Sequence, residues 1–185
     1  MKDELRLDMR AKRRCMTATQ MREKSQSICK LLFSLDCIKN ADTVCTFISA
    51  FKEPDTAEII QKLLEMGKKV AVPITDTENV TLSLSYIDSA EDLTEGAYGI
   101  PEPKTISAAN TVDMDIILVP GLAFDKNGGR MGFGKGYYDR LLQGSKATKI
   151  GLCYEFQLHS KIPTDAHDVP MDIIVTEEKI WRTGK

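Results

Sequence analysis

The stretch DIILVPGLAFDKNGGRMGFGKGYYDR, residues 115–140, indicates the fold class more strongly than any other part of the chain. It opens with the apolar run 116–119, which is typical of a strand buried on both faces of a parallel sheet. Five of the 12 glycines follow within residues 128–136, and a helix is predicted over 137–143. This order puts a glycine-rich loop at the carboxyl end of a strand, where open α/β sheets bind ligands.

The segments on either side alternate between strand and helix patterns. Strands are predicted from β-branched or alternating runs at 43–49, 69–73, 80–87, 148–154 and 172–176. Helices are predicted at 2–14, from Thr17 onward with Gln20 completing a capping box, and at 56–67 with Thr56 as N-cap and Gly67 as C′ residue. Residues 88–113 are predicted to be mostly loop. We expect one domain over residues 1–185, a three-layer α/β/α fold with a mainly parallel, Rossmann-like open sheet.

Composition excludes several classes of protein. The 42% hydrophobic content of the 185 residues is too high for a disordered chain, and no apolar run is long enough to cross a bilayer. The five cysteines are odd in number and form no C-x-x-C pair, so neither a disulfide framework nor a zinc site is indicated. We expect a cytoplasmic, monomeric protein with no membrane partner.

The net charge of −2 is an average over unlike segments. Residues 1–30 carry nine basic and four acidic side chains, and residues 120–149 carry six basic and two acidic. Arg130 and Lys135 place two of these positive charges inside the glycine-rich loop. This distribution predicts a small anionic ligand, whereas the overall pI near 5.8 argues against nucleic acid as a partner.

The loop matches neither of two common phosphate-binding motifs. Gly129 to Lys135 fits G-x-x-x-x-G-K, but Gly136 stands where a P-loop has Ser or Thr for magnesium. Gly132, Gly134 and Gly136 give G-x-G-x-G, which is not the dinucleotide fingerprint. The sequence therefore predicts a phosphate cradle of another kind, formed by loop amides and the start of the following helix.

Two carboxylates suggest a cation at this cradle. Asp139 follows the last glycine by three residues, and a carboxylate beside a phosphate loop needs a bridging cation such as Mg²⁺. Asp168 is the second candidate. The alternatives are a helix-dipole role for Asp139 and a turn role for Asp168, two residues before Pro170.

The quoted stretch resembles the signature of the 5-formyltetrahydrofolate cyclo-ligase family, also called 5,10-methenyltetrahydrofolate synthetase. Further matches are the K-x-x-L-R pattern that begins at Lys2, FISAFKEPDT (47–56), GIPEP (99–103) and DVPMDIIVTEE (168–178). The resemblance therefore covers nearly the whole chain in the same order.

The resemblance implies conversion of 5-formyltetrahydrofolate and ATP to 5,10-methenyltetrahydrofolate, ADP and phosphate, through a phosphorylated formyl group, with Mg²⁺ as cofactor. Residues matching the ATP site are Lys2, Arg6, Arg130, Gly132, Gly134, Lys135, Gly136, Tyr137 and Tyr138. Those matching the folate pocket are Ile48, Glu53, Tyr98, Tyr137 and Tyr138. Asp139 and Asp168 match magnesium-associated carboxylates, and the residues assigned to catalysis are Arg130, Lys135 and Tyr138.

Other interpretations stay open at this point. A sugar-phosphate isomerase or CoA-transferase relative could use a similar scaffold without ATP, and the basic helix 2–14 could belong to an RNA-binding module. Periodicity alone favours a solvated face for the basic residues of that helix. The resemblance changes this expectation for Lys2 and Arg6 but not for Arg10 and Arg13.

Overall fold

The computed structural model describes residues 2–184. The α-helices in this range are α1 (Lys2–Cys15), α2 (Ala18–Ser34), α3 (Asp36–Asn40), α4 (Ala57–Glu65) and α5 (Tyr137–Leu142). The strands are β1 (Thr43–Cys45), β2 (Lys69–Asp76), β3 (Thr81–Ile87), β4 (Leu93–Glu95), β5 (Pro101–Pro103), β6 (Ala108–Ala109), β7 (Ile116–Val119), β8 (Ala123–Asp125), β9 (Arg130–Met131), β10 (Thr148–Leu152), β11 (Leu158–His159), β12 (Ile173–Val175) and β13 (Ile180–Arg182). Within residues 2–184, no helix has the length and apolar character needed to cross a membrane.

The central sheet has eight strands in the order β13-β12-β10-β7-β1-β2-β3-β6. Its five middle strands, β12, β10, β7, β1 and β2, pair in parallel. The strands β13, β3 and β6 at the two margins pair antiparallel. A three-stranded sheet, β11-β8-β9, and the β4–β5 hairpin complete the strands. The predicted mainly parallel open sheet is confirmed.

Alternation along the strands assigns side chains to the two faces of the sheet. In β7, Ile116 and Leu118 belong to the core beneath α2, α3 and α4, while Ile117 and Val119 belong to the core beneath α5. All four side chains are at most 1% exposed. Burial on this scale stabilises the fold by about 1.5–3 kcal/mol for each large aliphatic side chain. The three predicted layers are present, although the second helical layer is the short helix α5.

Local predictions of element ends were confirmed, with differences in detail. Thr17 and Gln20 make both bonds of the capping box, and Gly67 adopts the predicted left-handed conformation with φ 73°. Thr56 occupies the N-cap position of α4, as predicted, but its side chain makes no capping hydrogen bond. Its hydroxyl donates to the carbonyl of Phe47 instead, at 2.8 Å, and so braces the segment after β1. The predicted loop 88–113 contains the β4–β5 hairpin and strand β6.

Helix α1 lies against the small sheet rather than on the central one. Its Met9 is fully buried in a cluster with Leu122, Ala123 and Met131, around β8 and β9. Since β9 lies within the glycine-rich segment 128–136, this packing holds α1 beside that segment. The fold thus brings together the two basic segments of the sequence.

Candidate active site

A cavity of about 710 Å³ lies beyond the carboxyl ends of β1 and β7. These neighbouring parallel strands lead in opposite directions, β1 to β2 and β7 to β10, so the cavity stands at a topological switch point of the sheet. Every residue that the sequence predicted for the site lines it: Lys2, Arg6, Ile48, Glu53, Tyr98, Arg130, Gly132, Gly134, Lys135, Gly136, Tyr137, Tyr138, Asp139 and Asp168.

The glycine-rich loop depends on conformations that side chains disfavour. Gly134 and Gly136 have φ angles of 104° and 71°, in the region open chiefly to glycine. Gly136 directly precedes α5, so the loop leads straight into a helix. The first backbone N–H groups of a helix have no acceptor within the helix. On the other side, the Nε of Arg6 donates to the carbonyl of Gly132 at 3.2 Å. The loop and α1 therefore form adjoining cavity walls.

Arg130 is the most enclosed cation of the glycine-rich loop. Its side chain is 4% exposed, and its Nη2 lies 2.9 Å from Oδ1 of Asp139. Nη1 donates to the carbonyl of Pro120 at 3.4 Å, while the buried Nε has no hydrogen-bond partner within the described chain. The guanidinium also lies 5.7 Å from the ring centroid of Tyr138. An enclosed cation with an unmet donor is suited to an anionic ligand.

Tyr138 itself is held in its neutral form. Desolvation raises the pKa of its phenol well above the ordinary value, and Arg130 opposes that rise only in part. A phenol in this state can donate a hydrogen bond but does not act as a base near neutral pH.

Lys2, a predicted cation at the start of α1, lies near two carboxylates. Its Nζ is 2.6 Å from Asp165 and 3.8 Å from Asp168. Asp168 and Asp139 both border the cavity and offer the hard oxygen ligands that Mg²⁺ prefers, with water and phosphate oxygens completing the shell. The chemistry of this donor set fits the ion. Asp165 and His167 lie beside Asp168 and are exposed.

Three polar side chains meet across the cavity mouth. The Nζ of Lys135 donates to the hydroxyl of Tyr98 at 2.8 Å, and the hydroxyls of Tyr98 and Tyr137 are 3.2 Å apart. The hydrogen bond from Lys135 lowers the pKa of Tyr98, whereas the bond with Tyr98 raises the pKa of Tyr137. Tyr98 is half exposed and has a left-handed backbone, φ 56°, at the tip of the β4–β5 hairpin. The hairpin thereby reaches the glycine-rich loop.

Sequence reasoning missed two buried charged residues. Asp125 accepts the amides of Asn127, Gly129 and Ile162, each at 2.9 Å, and so shapes the turn that leads to β9. Its position two residues before an Asn-Gly pair is typical of an Asx turn and could have revealed it. Arg13, expected on a solvated face, is 2% exposed, so that expectation was wrong.

The fold and this cavity define a class: an open α/β-sheet protein with a basic, glycine-lined cavity at the sheet's switch point. Comparison with known proteins supplies the particular family.

A model of the 5-formyltetrahydrofolate cyclo-ligase family matches residues 1–177. The 5-formyltetrahydrofolate cyclo-ligase of Escherichia coli (strain K12) is 32% identical over 181 residues, which cover 94% of this chain and 98% of the relative. The solved structure of Aquifex aeolicus 5,10-methenyltetrahydrofolate synthetase has a TM-score of 0.89 and 37% identity, covering 100% of this chain and 93% of the other. The chain belongs to the 5-formyltetrahydrofolate cyclo-ligase family.

A 5,10-methenyltetrahydrofolate synthetase from Mycoplasma pneumoniae shares the fold, with a TM-score of 0.78 at 23% identity over 95% of this chain and 98% of the other. Membership of the family sets aside the isomerase-like and RNA-binding alternatives.

Proposed function

We propose that this protein converts 5-formyltetrahydrofolate and ATP to 5,10-methenyltetrahydrofolate, ADP and phosphate. One observation carries the proposal beyond family membership: the side chains assigned to the nucleotide and those assigned to the folate line the same cavity. Its volume of about 710 Å³ lies in the upper half of the range of about 300–1,000 Å³ that small-molecule sites span.

The difficulty of the reaction lies in the formyl oxygen, which is a poor leaving group. Transfer of the γ-phosphoryl group from ATP to this oxygen forms an O–P bond and breaks the bond to ADP. N10 then attacks the activated formyl carbon and loses its proton, and the C–O bond breaks to release phosphate. Phosphoryl transfer asks the protein chiefly for alignment of the reactants and compensation of charge.

The nucleotide side of the cavity supplies that compensation. Arg130 would contact the transferring phosphoryl group, which gives its unpartnered Nε an acceptor. Lys135, Lys2 and Arg6 add positive charge from the loop and from α1, whose Arg6 already contacts Gly132. Tyr138, held neutral, would donate a hydrogen bond. Loop amides around Gly134 and Gly136 complete the cradle.

Mg²⁺ would be held by Asp139 and Asp168, and when bound it neutralises charge on the phosphate oxygens. Asp139, one of the two carboxylates assigned to magnesium, shares a cavity wall with Arg130, because the two side chains form an ion pair.

The residues assigned to the folate side are Ile48, Glu53, Tyr98, Tyr137 and Tyr138. Ile48 and Glu53 follow β1, and Tyr98 and Tyr137 lie where the β4–β5 hairpin meets the glycine-rich loop. An aromatic face at Tyr98 suits stacking on a pterin, and a carboxylate at Glu53 suits its N–H donors.

A direct test incubates the purified protein with 5-formyltetrahydrofolate, ATP and magnesium and follows the absorbance of the methenyl product together with ADP. We expect one ADP for each methenyl group formed, and no ADP without the folate. A folded protein that forms no methenyl product would contradict the proposal, and folate-independent ATP hydrolysis would indicate a different enzyme.

A further inference from the structure

Arg13 is a buried cation to which the proposed reaction assigns no role. It lies in the last turn of α1, a helix whose other basic residues are at least partly exposed, yet only 2% of Arg13 is accessible. Burying a guanidinium is unfavourable unless nearly all of its donors find acceptors. Its contacts therefore identify what this side chain holds in place.

Those contacts converge on the segment that follows β1. Both Nε and Nη2 of Arg13 donate to the carbonyl of Phe51, with Nε at 3.1 Å. Nη2 also lies 3.7 Å from Oε1 of Glu53, and Nη1 donates to the carbonyl of Gly121, after β7, at 3.4 Å. One side chain thus joins α1 to the segments that follow the two strands flanking the cavity.

The segment held by Arg13 is a tight turn over residues 50–53. The amide of Glu53 donates to the carbonyl of Ala50 at 2.9 Å, and the amide of Ala50 donates to Oε2 of Glu53 at 3.1 Å. Between them, Phe51 and Lys52 have φ angles of 50° and 59°, the left-handed region that side chains disfavour. Two such residues in succession persist only where their surroundings over-determine the conformation.

The charge of Glu53 also depends on Arg13. The Glu53 side chain is 6% exposed, and its burial raises the pKa of the carboxyl, a rise that the Arg13 guanidinium opposes. Without a cation at this position the buried carboxylate would lack its ionic partner and the turn would lose two hydrogen bonds at Phe51.

From these contacts we infer that Arg13 is a positioning residue for the folate side of the site: it fixes the turn 50–53 so that Glu53 faces the cavity in its ligand-binding geometry. Arg13 borders the cavity, but its donors are directed at Phe51, Gly121 and Glu53, and it acts through the segment that carries Phe51 and Glu53. The identity of the ligand rests on the proposed function, whereas the fixing of the turn does not.

Substrate kinetics distinguish positioning from general support of the fold. We expect Arg13→Met to raise the Michaelis constant for 5-formyltetrahydrofolate about tenfold or more, while the constant for ATP stays within about twofold, since a change of tenfold corresponds to one lost interaction of moderate strength. Arg13→Lys keeps the charge but cannot donate through two nitrogens to one carbonyl. Its Michaelis constant for 5-formyltetrahydrofolate should therefore lie between those of the wild type and Arg13→Met. The control is Lys12→Met, which removes an exposed ion pair with Asp8 on the same helix.

Hydrogen exchange of the free protein tests the turn without any substrate. Peptides spanning 47–56 should exchange faster in Arg13→Lys and Arg13→Met than in the wild type or Lys12→Met, with exchange of α2 unchanged. Unchanged exchange in this peptide, or an equal rise of both Michaelis constants, would overturn the inference. If the wild type makes no methenyl product but exchange changes as expected, the proposed function fails while the role of Arg13 in the turn stands. If Arg13→Met does not fold, Arg13→Lys carries both measurements.

Discussion

Nη2 of Arg130 lies 2.9 Å from Oδ1 of Asp139, nine residues further along the chain, so that a cation assigned to phosphate and a carboxylate assigned to magnesium form an ion pair in one cavity wall. The strand β9 carries Arg130 and the first turn of α5 carries Asp139, with the glycine-rich loop closing the distance between them. The two opposite charges compensate each other in this wall of the cavity.

Arg130→Ala should weaken the use of ATP far more than the binding of folate. Loss of a preorganised donor to the transferring phosphoryl group predicts a fall in kcat/KM for ATP of roughly 10²–10³-fold. Arg130→Lys should recover part of it, because it restores charge without the forked donors. Steady-state kinetics with each substrate varied in turn measure the effect, with the exposed Arg22→Ala on α2 as control. An unchanged kcat and KM for ATP would remove Arg130 from the mechanism.

Asp139→Ala should abolish most turnover, by about 10²-fold or more, and the protein should still fold, although with lower stability because the buried guanidinium of Arg130 loses its ionic partner. Activity should be measured against magnesium concentration, where Asp139→Asn is expected to need more Mg²⁺ for half-maximal rate. Circular dichroism of each variant supplies the folding control. Activity like that of the wild type would show that Asp139 has no part in the reaction.

Gly134→Ala and Gly144→Ala form a matched pair. Both glycines have positive φ, 104° and 76°, so each alanine should destabilise the fold by roughly 1–2 kcal/mol. Of the two, only Gly134 lies in the glycine-rich loop. A Cβ added at Gly134 would lie 3.6 Å from Cζ of Arg6. We expect a raised KM for ATP in Gly134→Ala alone, measured beside chemical denaturation of both variants. Equal KM values in the two would contradict a phosphate role for the loop.

Asp115 should make stability depend on pH at the acid end. Its carboxylate accepts the amides of Thr43 and Asp42 at 2.9 and 2.8 Å, and these bonds lower its pKa below the ordinary 3.8. Because the pKa of Asp115 is lower in the folded state, its ionised carboxylate stabilises the fold fully at pH values well above 3.8. This stabilisation is lost as the pH falls through the pKa of the folded state. Because Asp115 is exposed, solvent screening keeps the contribution modest.

Asp115→Asn should therefore melt roughly 2–4 °C below the wild type at pH 7, the shift that about 1 kcal/mol produces in a domain of this size. The difference should shrink as the pH falls below 3.8 and should vanish once the pH lies below the lowered pKa of Asp115 in the folded state, where the wild-type carboxylate is protonated as well. Thermal melts across pH 2–7 measure it, with Asp113→Asn as the neighbouring control. A difference that stays constant with pH would contradict this account.

The parts of the fold that sequence predicted are those that one local pattern determines. The apolar run 116–119 indicated a strand buried on both faces, and the glycines of 128–136 indicated a ligand loop; both depend on residues adjacent in sequence. The burial of Arg13 was not predicted because its acceptor, the carbonyl of Phe51, lies 38 residues further along the chain. That carbonyl belongs to the turn at 50–53, which follows the end of β1 at Cys45. Helical periodicity cannot report a partner that distant.

The same reason explains Thr56. Its sequence context is that of an N-cap, but tertiary structure offers the carbonyl of Phe47 as a competing acceptor for its hydroxyl. The site residues come from distant parts of the chain and were predicted from the family resemblance. Local sequence patterns could not show that they lie together, because this depends on the pairing of β1 with β7.

In the proposed reaction the formyl oxygen leaves as part of phosphate, and an isotope experiment can follow that oxygen atom. The protein is incubated with ATP, magnesium and 5-formyltetrahydrofolate labelled with ¹⁸O in the formyl group, and the released phosphate is analysed by mass spectrometry. Phosphoryl transfer to that oxygen predicts one ¹⁸O atom in each phosphate released with a methenyl product. Unlabelled phosphate, with the ¹⁸O recovered in water, would contradict the account.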